Sequence, residues 1–236
     1  MDNYSDLVQE YKQYGRHAVT DWVLGYHKVY ALLAPLNGLS LLDVGCGDGK
    51  FSRYMAERGA EVTGIDSSEG MIAAANAISR SHTLRYIHVS DRHGIASLHQ
   101  QFDIITANFL TCTIHKRELL KELFQDMYDA LGDGGRIILL NANWEQGNGK
   151  NFISYRLKKY DQLISGMDVE VHLKGPEPIT VHDTFWSKQE YISLLNEIGF
   201  VDITSIESCA GDDSYHWIDE KTHAPMLMIS AKKGRI

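Results

Sequence analysis

Cysteine and proline are both scarce in this sequence. Only three cysteines occur among its 236 residues, Cys46, Cys112 and Cys209, and no two of them form a Cys-x-x-Cys pair. Common zinc modules and iron–sulfur sites need closely spaced thiolates, so these classes are excluded and we expect no metal site. Few, widely spaced cysteines are typical of a reducing compartment, and we therefore expect a cytoplasmic protein. The four prolines form no Pro-rich linker.

Long apolar runs and positive charge are also lacking. No stretch reaches the ~18 consecutive apolar residues of a membrane-spanning helix. The polar start of the chain, Met1-Asp2-Asn3-Tyr4, has no apolar segment of the secretory type, so neither a signal nor a membrane partner is expected. Lys and Arg total 23 against 31 Asp and Glu, which gives a formal net charge of −8. Because an acidic surface repels phosphate backbones, nucleic acid is not expected as a partner.

The remaining composition is that of an ordinary globular domain, with 44% hydrophobic and 23% charged residues. From residue 40 onward, short apolar segments alternate with segments of helical period. This alternation predicts an α/β fold whose doubly wound, mostly parallel sheet is covered by helices on both faces. Seven strands are predicted, at residues 40–44, 61–65, 84–89, 102–107, 136–141, 200–206 and 225–231. No helix is predicted between the last two, so they should form a C-terminal antiparallel hairpin.

Four segments of the chain are predicted from this pattern. Residues 1–38 should form a helical cover and residues 39–143 an α/β core. Residues 144–186 interrupt the alternation, so they are interpreted as an inserted lid or substrate-binding segment. Residues 187–236 should supply the helix and the hairpin that complete the sheet.

A glycine-rich turn, Gly45-Cys46-Gly47-Asp48-Gly49, follows the first predicted strand, and the second strand ends at Asp66. Glycines in such a turn let the backbone approach a ligand closely. An acidic residue at the end of the next strand can accept hydrogen bonds from a ribose diol. Ligands of open α/β sheets bind beyond the carboxyl ends of the strands, so the sequence predicts a nucleoside-containing ligand here.

Two common phosphate-binding turns fit this sequence poorly. A P-loop has four residues between its first glycine and the Gly-Lys pair, whereas three separate Gly45 from Gly49 here, and Phe51 stands where Ser or Thr is needed. A dinucleotide-binding turn would have its third glycine where Lys50 stands. The carboxylates of Asp43 and Asp48 suit a cationic ligand better than a pyrophosphate.

LLDVGCGDG at residues 41–49 and VTGIDSSEGM at residues 62–71 resemble the signature segments of the class I S-adenosylmethionine (SAM)-dependent methyltransferases. FDIITA at residues 102–107 and LGDGGR at residues 131–136 are similar to later landmarks of that family. The resemblance covers residues 40–142. It implies a Rossmann-like methyltransferase fold, with SAM as cofactor and S-adenosylhomocysteine as product.

The resemblance also implies cofactor-binding roles for residues at the strand ends. Those expected at the methionine end and the sulfonium are Asp43, Gly45, Cys46, Gly47, Gly49, Asn108 and Phe109. Those expected at the adenosine end are Asp66 on the ribose, Ser67 and Met71 on the adenine ring, and Asp91 with Arg92 at the adenine amino group. Two of these have a structural alternative, Met71 as a core residue and Asp91 as a helix cap.

The family motifs do not fix the methyl acceptor. The sequence Asn108-Phe109-Leu110-Thr111 departs from the Asn/Asp-Pro-Pro-Tyr that often accompanies methylation of exocyclic or amide nitrogens, which disfavours such acceptors. The candidate catalytic residues are His115 and His182, although a histidine in such a loop or hairpin is more often a solvated surface residue. Residues expected to line an acceptor pocket are Tyr14, Tyr155, Phe185 and Trp186.

These observations predict a methyltransferase that acts on an oxygen or nitrogen atom of a small-molecule metabolite, mainly through proximity and alignment. We expect a monomer or a homodimer. Three alternatives stay open: a protein or peptide methyltransferase, a non-catalytic SAM-binding partner protein, and a dinucleotide oxidoreductase.

Overall fold

The computed structural model describes residues 8–89 and 94–234, which form two sheets and the helices around them. The α-helices are α1 Val8–His17, α2 His27–Leu33, α3 Lys50–Ala56, α4 Glu69–Ile78, α5 Arg117–Ala130, α6 Trp144–Gly147 and α7 Lys188–Ile198, with a π-helix, Asp21–Tyr26, directly before α2. The strands are β1 Ser40–Val44, β2 Glu61–Asp66, β3 Leu84–His88, β4 Phe102–Asn108, β5 Leu131–Ala142, β6 Tyr155–Leu157, β7 Met167–Leu173, β8 Ile179–Phe185, β9 Phe200–Glu207 and β10 Met226–Lys233.

The larger sheet has seven strands in the order β3-β2-β1-β4-β5-β10-β9. Strands β1 to β5 pair in parallel, whereas β10 is antiparallel to both β5 and β9. The predicted mostly parallel sheet with a C-terminal antiparallel hairpin is therefore confirmed. The strand order reverses between β1 and β4, and in open α/β sheets such a reversal opens a crevice at the carboxyl ends of the strands.

Local sequence explains where several helices begin and end. The Ser68 hydroxyl accepts a hydrogen bond from the Met71 amide at 3.3 Å and caps α4, as a serine before a helix commonly does. Ser187 caps α7 in the same way, through the Glu190 amide at 3.1 Å. Gly199 ends α7 with a φ of +107°, a conformation that glycine adopts without steric penalty. Within residues 8–89 and 94–234, every helix is too short or too polar to cross a membrane.

Each face of the large sheet buries its own apolar cluster. Neighbouring strand residues alternate between the clusters, so that Leu41 and Ile104 belong to one and Leu42 and Ile105 to the other. One cluster contains residues of α5 and α7. The opposite cluster contains residues of α2 and α3 together with residues of β6, β7 and β8. The sheet is therefore covered on both faces, as the sequence pattern predicted.

Strand β5 is longer than predicted. The sequence predicts a strand from residue 136, but the strand begins at Leu131, which pairs with Phe102. The ladder then shifts, so that Arg136 lies opposite Ile104. Gly134, with a φ of +72°, permits this irregularity inside the strand.

The segment expected to be a lid contains α6 and a second, three-stranded antiparallel sheet, β6-β7-β8. The hairpin of β7 and β8 matches the alternation of apolar and polar residues in the sequence. Its inward residues, including Val169, Val171 and Val181, belong to the same buried cluster as Leu33 and Phe51. The segment is therefore packed into the core beside the N-terminal helices.

A buried polar network joins the N-terminal helices to this segment and to the C-terminal loop. The Thr20 amide donates to Ser154 Oγ at 2.8 Å, and the Thr20 hydroxyl donates to Glu220 Oε1 at 2.9 Å. Glu220 is fully buried and also accepts from the amides of Ile153 and Ile218, at 2.5 and 2.9 Å. Because these groups are removed from water, the network fixes the position of the chain just before the π-helix.

Glu220→Ala should lower the free energy of unfolding by about 2–4 kcal/mol, because its donors lose their acceptor while remaining away from water. Glu220→Gln keeps an acceptor oxygen and should be milder. Glu57→Ala, at a side chain that is 72% exposed, serves as the control and should change stability by less than about 0.5 kcal/mol. Urea denaturation measures all three, and equal stability of the Glu220→Ala and Glu57→Ala variants would show that the network is unimportant.

Candidate active site

A cavity of about 730 Å³ opens at the carboxyl ends of β1, β2 and β4. Its floor is formed by the turn after β1 and by the ends of the neighbouring strands. Its cover includes Tyr14 of α1 together with Asp21 and Tyr26 of the π-helix. The volume lies within the ~300–1,000 Å³ usual for small-molecule sites.

The turn after β1 brings backbone rather than side chains to the cavity. The amides of Gly45 and Cys46 donate to the carbonyl oxygen of Ile65 at 2.8 and 3.0 Å, which fixes the turn against β2. Gly47 has a φ of +54°, and a Cβ at this position would meet nothing within 4 Å. Gly49, also expected at the cofactor, is not among the described residues that line the cavity, because it packs against Tyr86, whose hydroxyl would clash with an added Cβ. The turn thus presents a concave surface that any side chain at position 47 would partly fill.

Asp66, at the end of β2, connects this turn to the start of α4. Its Oδ2 accepts from the Gly47 amide and its Oδ1 from the Ser68 amide, each at 2.8 Å. A carboxylate oxygen can accept more than one hydrogen bond, so both oxygens can also accept from a ligand. A fixed, half-buried carboxylate at this position suits a pair of vicinal hydroxyl groups.

Asp43 and Asn108 form a polar cluster below the turn. Asp43 is 1% exposed and accepts from Ser52 Oγ at 2.5 Å, Thr106 Oγ1 at 3.2 Å and Asn108 Nδ2 at 3.4 Å. Burial raises the pKa of Asp43 to about 6. Asn108 Oδ1 is buried and has no hydrogen-bond partner among the described residues. Asn108 lines the cavity, and a buried oxygen without a partner is suited to accept a hydrogen bond from a ligand bound there.

Beyond Asp66 the cavity wall becomes apolar. Its members are Ile65, Met71, Val89, Ile95 and Leu110, and Ser67 lies on the same wall. Met71 is only 7% exposed, so it contributes both to the core and to the cavity. A flat apolar ring system fits this surface. Asp91 and Arg92, which were expected at the adenine, lie outside the described residues.

Phe109 changes the direction of the chain where β4 ends. Its φ of +55° is in the left-handed region, which costs a residue with a Cβ about 1–2 kcal/mol. Its amide donates to the carbonyl oxygen of Leu140 at 2.7 Å, and its ring lies 6.2 Å from that of Tyr26 in an edge-to-face contact. Strained backbone of this kind is concentrated at functional sites, and here it directs an aromatic ring toward the cover.

The cover contributes polar groups that the sequence did not single out. Tyr14, a predicted acceptor-pocket residue, lines the cavity, and its hydroxyl donates to Asp21 Oδ2 at 2.7 Å. Lys50 Nζ donates to the carbonyl oxygen of Gly15 and lies 4.5 Å from the centroid of the Trp22 ring. The sequence did not single out Asp21 and Lys50 because charged residues are common at the starts of surface helices. Asp21 begins the π-helix and Lys50 begins α3.

His115, the first of the two catalytic candidates, lies at the cavity mouth. Its Nδ1 is 2.7 Å from the hydroxyl of Thr184 and 3.7 Å from a carboxylate oxygen of Asp168. The side chain is 44% exposed. These contacts join the loop after β4 to the small sheet.

The structure does not bring the other acceptor-side candidates to the cavity. Tyr155 is buried in the core, where its hydroxyl donates to the carbonyl oxygen of Pro225 at 2.6 Å. Phe185 is buried at the end of β8, and Trp186 donates to the carbonyl oxygen of Ile114 at 3.0 Å. His182 is exposed opposite Glu170 on the outer face of the small sheet. His182 and Phe185 lie three residues apart on β8, so the strand period turns the histidine outward and the phenylalanine into the core.

Across the described ranges, no group of three or more His, Cys, Asp and Glu side chains is arranged to hold a metal ion. The polar groups of the cavity wall instead include carboxylates, an amide, hydroxyls and backbone amides. Such a set recognises an organic ligand that carries hydroxyl and ammonium groups.

Residues 14–205 match a family model described as a methyltransferase domain. The ubiquinone biosynthesis O-methyltransferase of Ruegeria pomeroyi is 31% identical over 171 residues, which are 70% of this chain and 61% of that enzyme. The enzyme of the same name from Psychrobacter cryohalolentis is 45% identical over 75 residues, 30% of this chain and 29% of that enzyme. The chain thus spans less than two thirds of the length of either relative.

The fold is shared with solved methyltransferase structures. SAM-bound CalS10, an amino pentose methyltransferase from Micromonospora echinaspora, superposes with a TM-score of 0.62 at 17% identity, over 95% of this chain and 97% of that chain. A likeness at this identity concerns the architecture alone.

Gly47→Ala should weaken SAM binding at least about tenfold, because the added methyl group occupies the concave face of the turn. Because alanine has a Cβ and the backbone at position 47 is left-handed, the substitution should also lower the free energy of unfolding by about 1–2 kcal/mol. Gly38→Ala is the matched control, since Gly38 has a φ of +73°, open space around its Cβ and no part in the cavity. Calorimetry and urea denaturation should show similar stability losses and a loss of SAM affinity in Gly47→Ala alone. Equal SAM affinities in both variants would contradict the placement of the cofactor.

Proposed function

Because the chain belongs to the class I SAM-dependent methyltransferase family, we propose that it transfers a methyl group from SAM to an oxygen or nitrogen atom of a small molecule. One observation carries the small-molecule part of this proposal. The strand-end residues Asp66 and Asn108 share a single cavity with Tyr14 and Asp21 of the cover. A covered cavity of this kind supports a small acceptor, whereas a peptide substrate needs an open groove.

The donor and acceptor groups of the cavity fit SAM. The unpaired Oδ1 of Asn108 suits the ammonium group of the methionine portion, beside the backbone of the turn after β1. Asp66 suits the ribose hydroxyls, and the apolar wall that contains Met71 suits the adenine ring. When bound, SAM supplies a methyl group that is already activated by a sulfonium sulfur.

The protein's contribution to the reaction is then mainly alignment, which can supply about 7–11 kcal/mol. Three aromatic rings that line the cavity are suited to hold the body of the acceptor. The Tyr26 ring lies 5.1 Å from that of Phe51 and 6.2 Å from that of Phe109. We propose that these three rings form the acceptor side of the cavity and exclude water from it.

The role of His115 as a base stays a prediction. Its contacts with Thr184 and Asp168 would hold the ring in one orientation, which a general base requires. Its exposure at the cavity mouth points equally to a role in closing the cavity. His182 is not retained as a candidate, because it faces away from the cavity.

The names of the relatives support an oxygen acceptor, since both are O-methyltransferases. The direct test is incubation of the purified chain with methyl-labelled SAM and a metabolite extract, followed by mass spectrometry of the labelled products. We expect label in one class of small molecules and matched release of S-adenosylhomocysteine. Label confined to the protein fraction, or none above the rate in a no-extract control, would contradict the proposal.

Asp66→Ala should weaken SAM binding by about 2–4 kcal/mol, because two hydrogen bonds to a carboxylate are lost. Asp66→Asn keeps one acceptor oxygen and should be milder. Asp161→Asn, at an exposed aspartate outside the cavity, is the control. Calorimetric titration with SAM measures the affinities and circular dichroism checks the fold. Unchanged affinity in a folded Asp66→Ala variant would remove Asp66 from the ribose site.

A further inference from the structure

Asp21 is a buried carboxylate whose environment the cofactor roles above do not explain. It is 7% exposed and lines the cavity from the cover, opposite the strand ends. Its Oδ2 accepts from the Tyr14 hydroxyl at 2.7 Å. Its Oδ1 is buried and has no hydrogen-bond partner among the described residues. Leaving a buried carboxylate oxygen unpaired is costly, so the native contacts of Asp21 are incomplete without a further donor.

The backbone around Asp21 is built to hold this carboxylate in place. Asp21 is the first residue of the π-helix, a rare geometry that occurs frequently at functional sites. The preceding residue, Thr20, is fixed by the network with Ser154 and Glu220. At Gly25 the π-helix packs so closely on β5 that an added Cβ would lie 3.1 Å from Leu140. The position of Asp21 is thus set by the core.

The groups around Asp21 define what it can bind. Tyr26 of the same π-helix lines the cavity, and its ring contacts those of Phe51 and Phe109. Asp21 lines the same cavity, and Tyr14 occupies only its Oδ2, so we expect a donor bound beside these rings to approach Oδ1. Burial also raises the pKa of Asp21 to about 6, which makes it a stronger proton acceptor than an exposed aspartate while leaving it mostly ionised at pH 7.

We propose that Asp21 binds the methyl acceptor: its Oδ1 accepts a hydrogen bond from an O–H or N–H group and takes that proton as the methyl group moves. The lone pair of the acceptor oxygen or nitrogen forms the new bond to the methyl carbon, and the carbon–sulfur bond breaks with its electron pair left on sulfur. The released proton then resides on Asp21. This assignment rests on the proposed function and makes the substrate a protic acceptor with an apolar body.

The competing assignments are specific. If His115 is the base, the loss of activity should follow replacement of His115 and not replacement of Asp21. If Asp21 serves the methionine portion of SAM, together with nearby Lys50, its replacement should weaken the binding of the cofactor. The variants Asp21→Asn and His115→Gln distinguish these cases, and Asp161→Asn is the control for loss of a carboxylate at the surface. Asn preserves the shape of Asp and can still accept from the Tyr14 hydroxyl.

The test measures binding first, so that it does not depend on knowing the natural acceptor. Phenol, benzylamine and anisole are titrated into each protein saturated with S-adenosylhomocysteine, and ligand-observed NMR reports the affinities. We expect the wild type to prefer phenol or benzylamine over anisole by at least about tenfold. The phenol and benzylamine arms separate a hydroxyl from an amine acceptor. Asp21→Asn should lose the preference, whereas His115→Gln and Asp161→Asn should keep it.

Three binding results would overturn the proposal: no preference in the wild type, a preference kept by Asp21→Asn, or S-adenosylhomocysteine affinity reduced more than about tenfold in Asp21→Asn. With an acceptor from the labelled screen, Asp21→Asn should lower kcat at least about 100-fold, and an unchanged kcat would also overturn it. A wild type that shows the preference and binds SAM but labels no small molecule contradicts the proposed function and leaves the assignment of Asp21 as a binding residue standing.

Discussion

The carboxylate of Asp66 fixes the two loops from which the cofactor side of the cavity is built. It accepts hydrogen bonds from the amides of Gly47 and Ser68, so the turn after β1 and the start of α4 hold one relative position. The two loops come together because Val44 and Ile65 are paired partners at the carboxyl ends of adjacent parallel strands. The concave face at Gly47 is therefore a consequence of sheet register, which gives a ligand a preformed surface.

The acceptor side depends on a different constraint, the buried network around Glu220. In this network Thr20 is hydrogen-bonded to Ser154 and Glu220, which lie 134 and 200 positions later in the sequence. These bonds locate the π-helix above the strand ends. Asn108 of the strand ends and Asp21 of the cover line the same cavity. Each has a buried Oδ1 without a hydrogen-bond partner among the described residues. One suits the cofactor and the other the acceptor, which is the arrangement that a two-substrate transfer requires.

Much of the fold could be predicted from the sequence because its determinants are local. The bounds of β1 follow from an apolar run, and those of α4 and α7 from the serine caps Ser68 and Ser187. The start of β5 could not be predicted, because glycines are uncommon inside strands and this segment joins the sheet through pairing of Leu131 with Phe102. Most residues expected at the cofactor line the cavity, because the family motifs follow directly after strands.

Most of the acceptor side could not be predicted from the sequence, since only Tyr14 and His115 of its candidates lie at the cavity. Tyr155, Phe185 and Trp186 are aromatic residues of an inserted segment, and only the packing of the small sheet shows that they serve the core. Asp21 gave no signal, since its role depends on contacts with Tyr14 and on a helical geometry that no local pattern marks. The central claim, that one cavity holds the cofactor at Asp66 and leaves Asp21 for the acceptor, is tested most directly by a crystal structure of the complex with S-adenosylhomocysteine. The account predicts ribose hydroxyls on Asp66 and no atom of the ligand within hydrogen-bond distance of Asp21; a ribose bound elsewhere, or a ligand atom on Asp21 Oδ1, would contradict it.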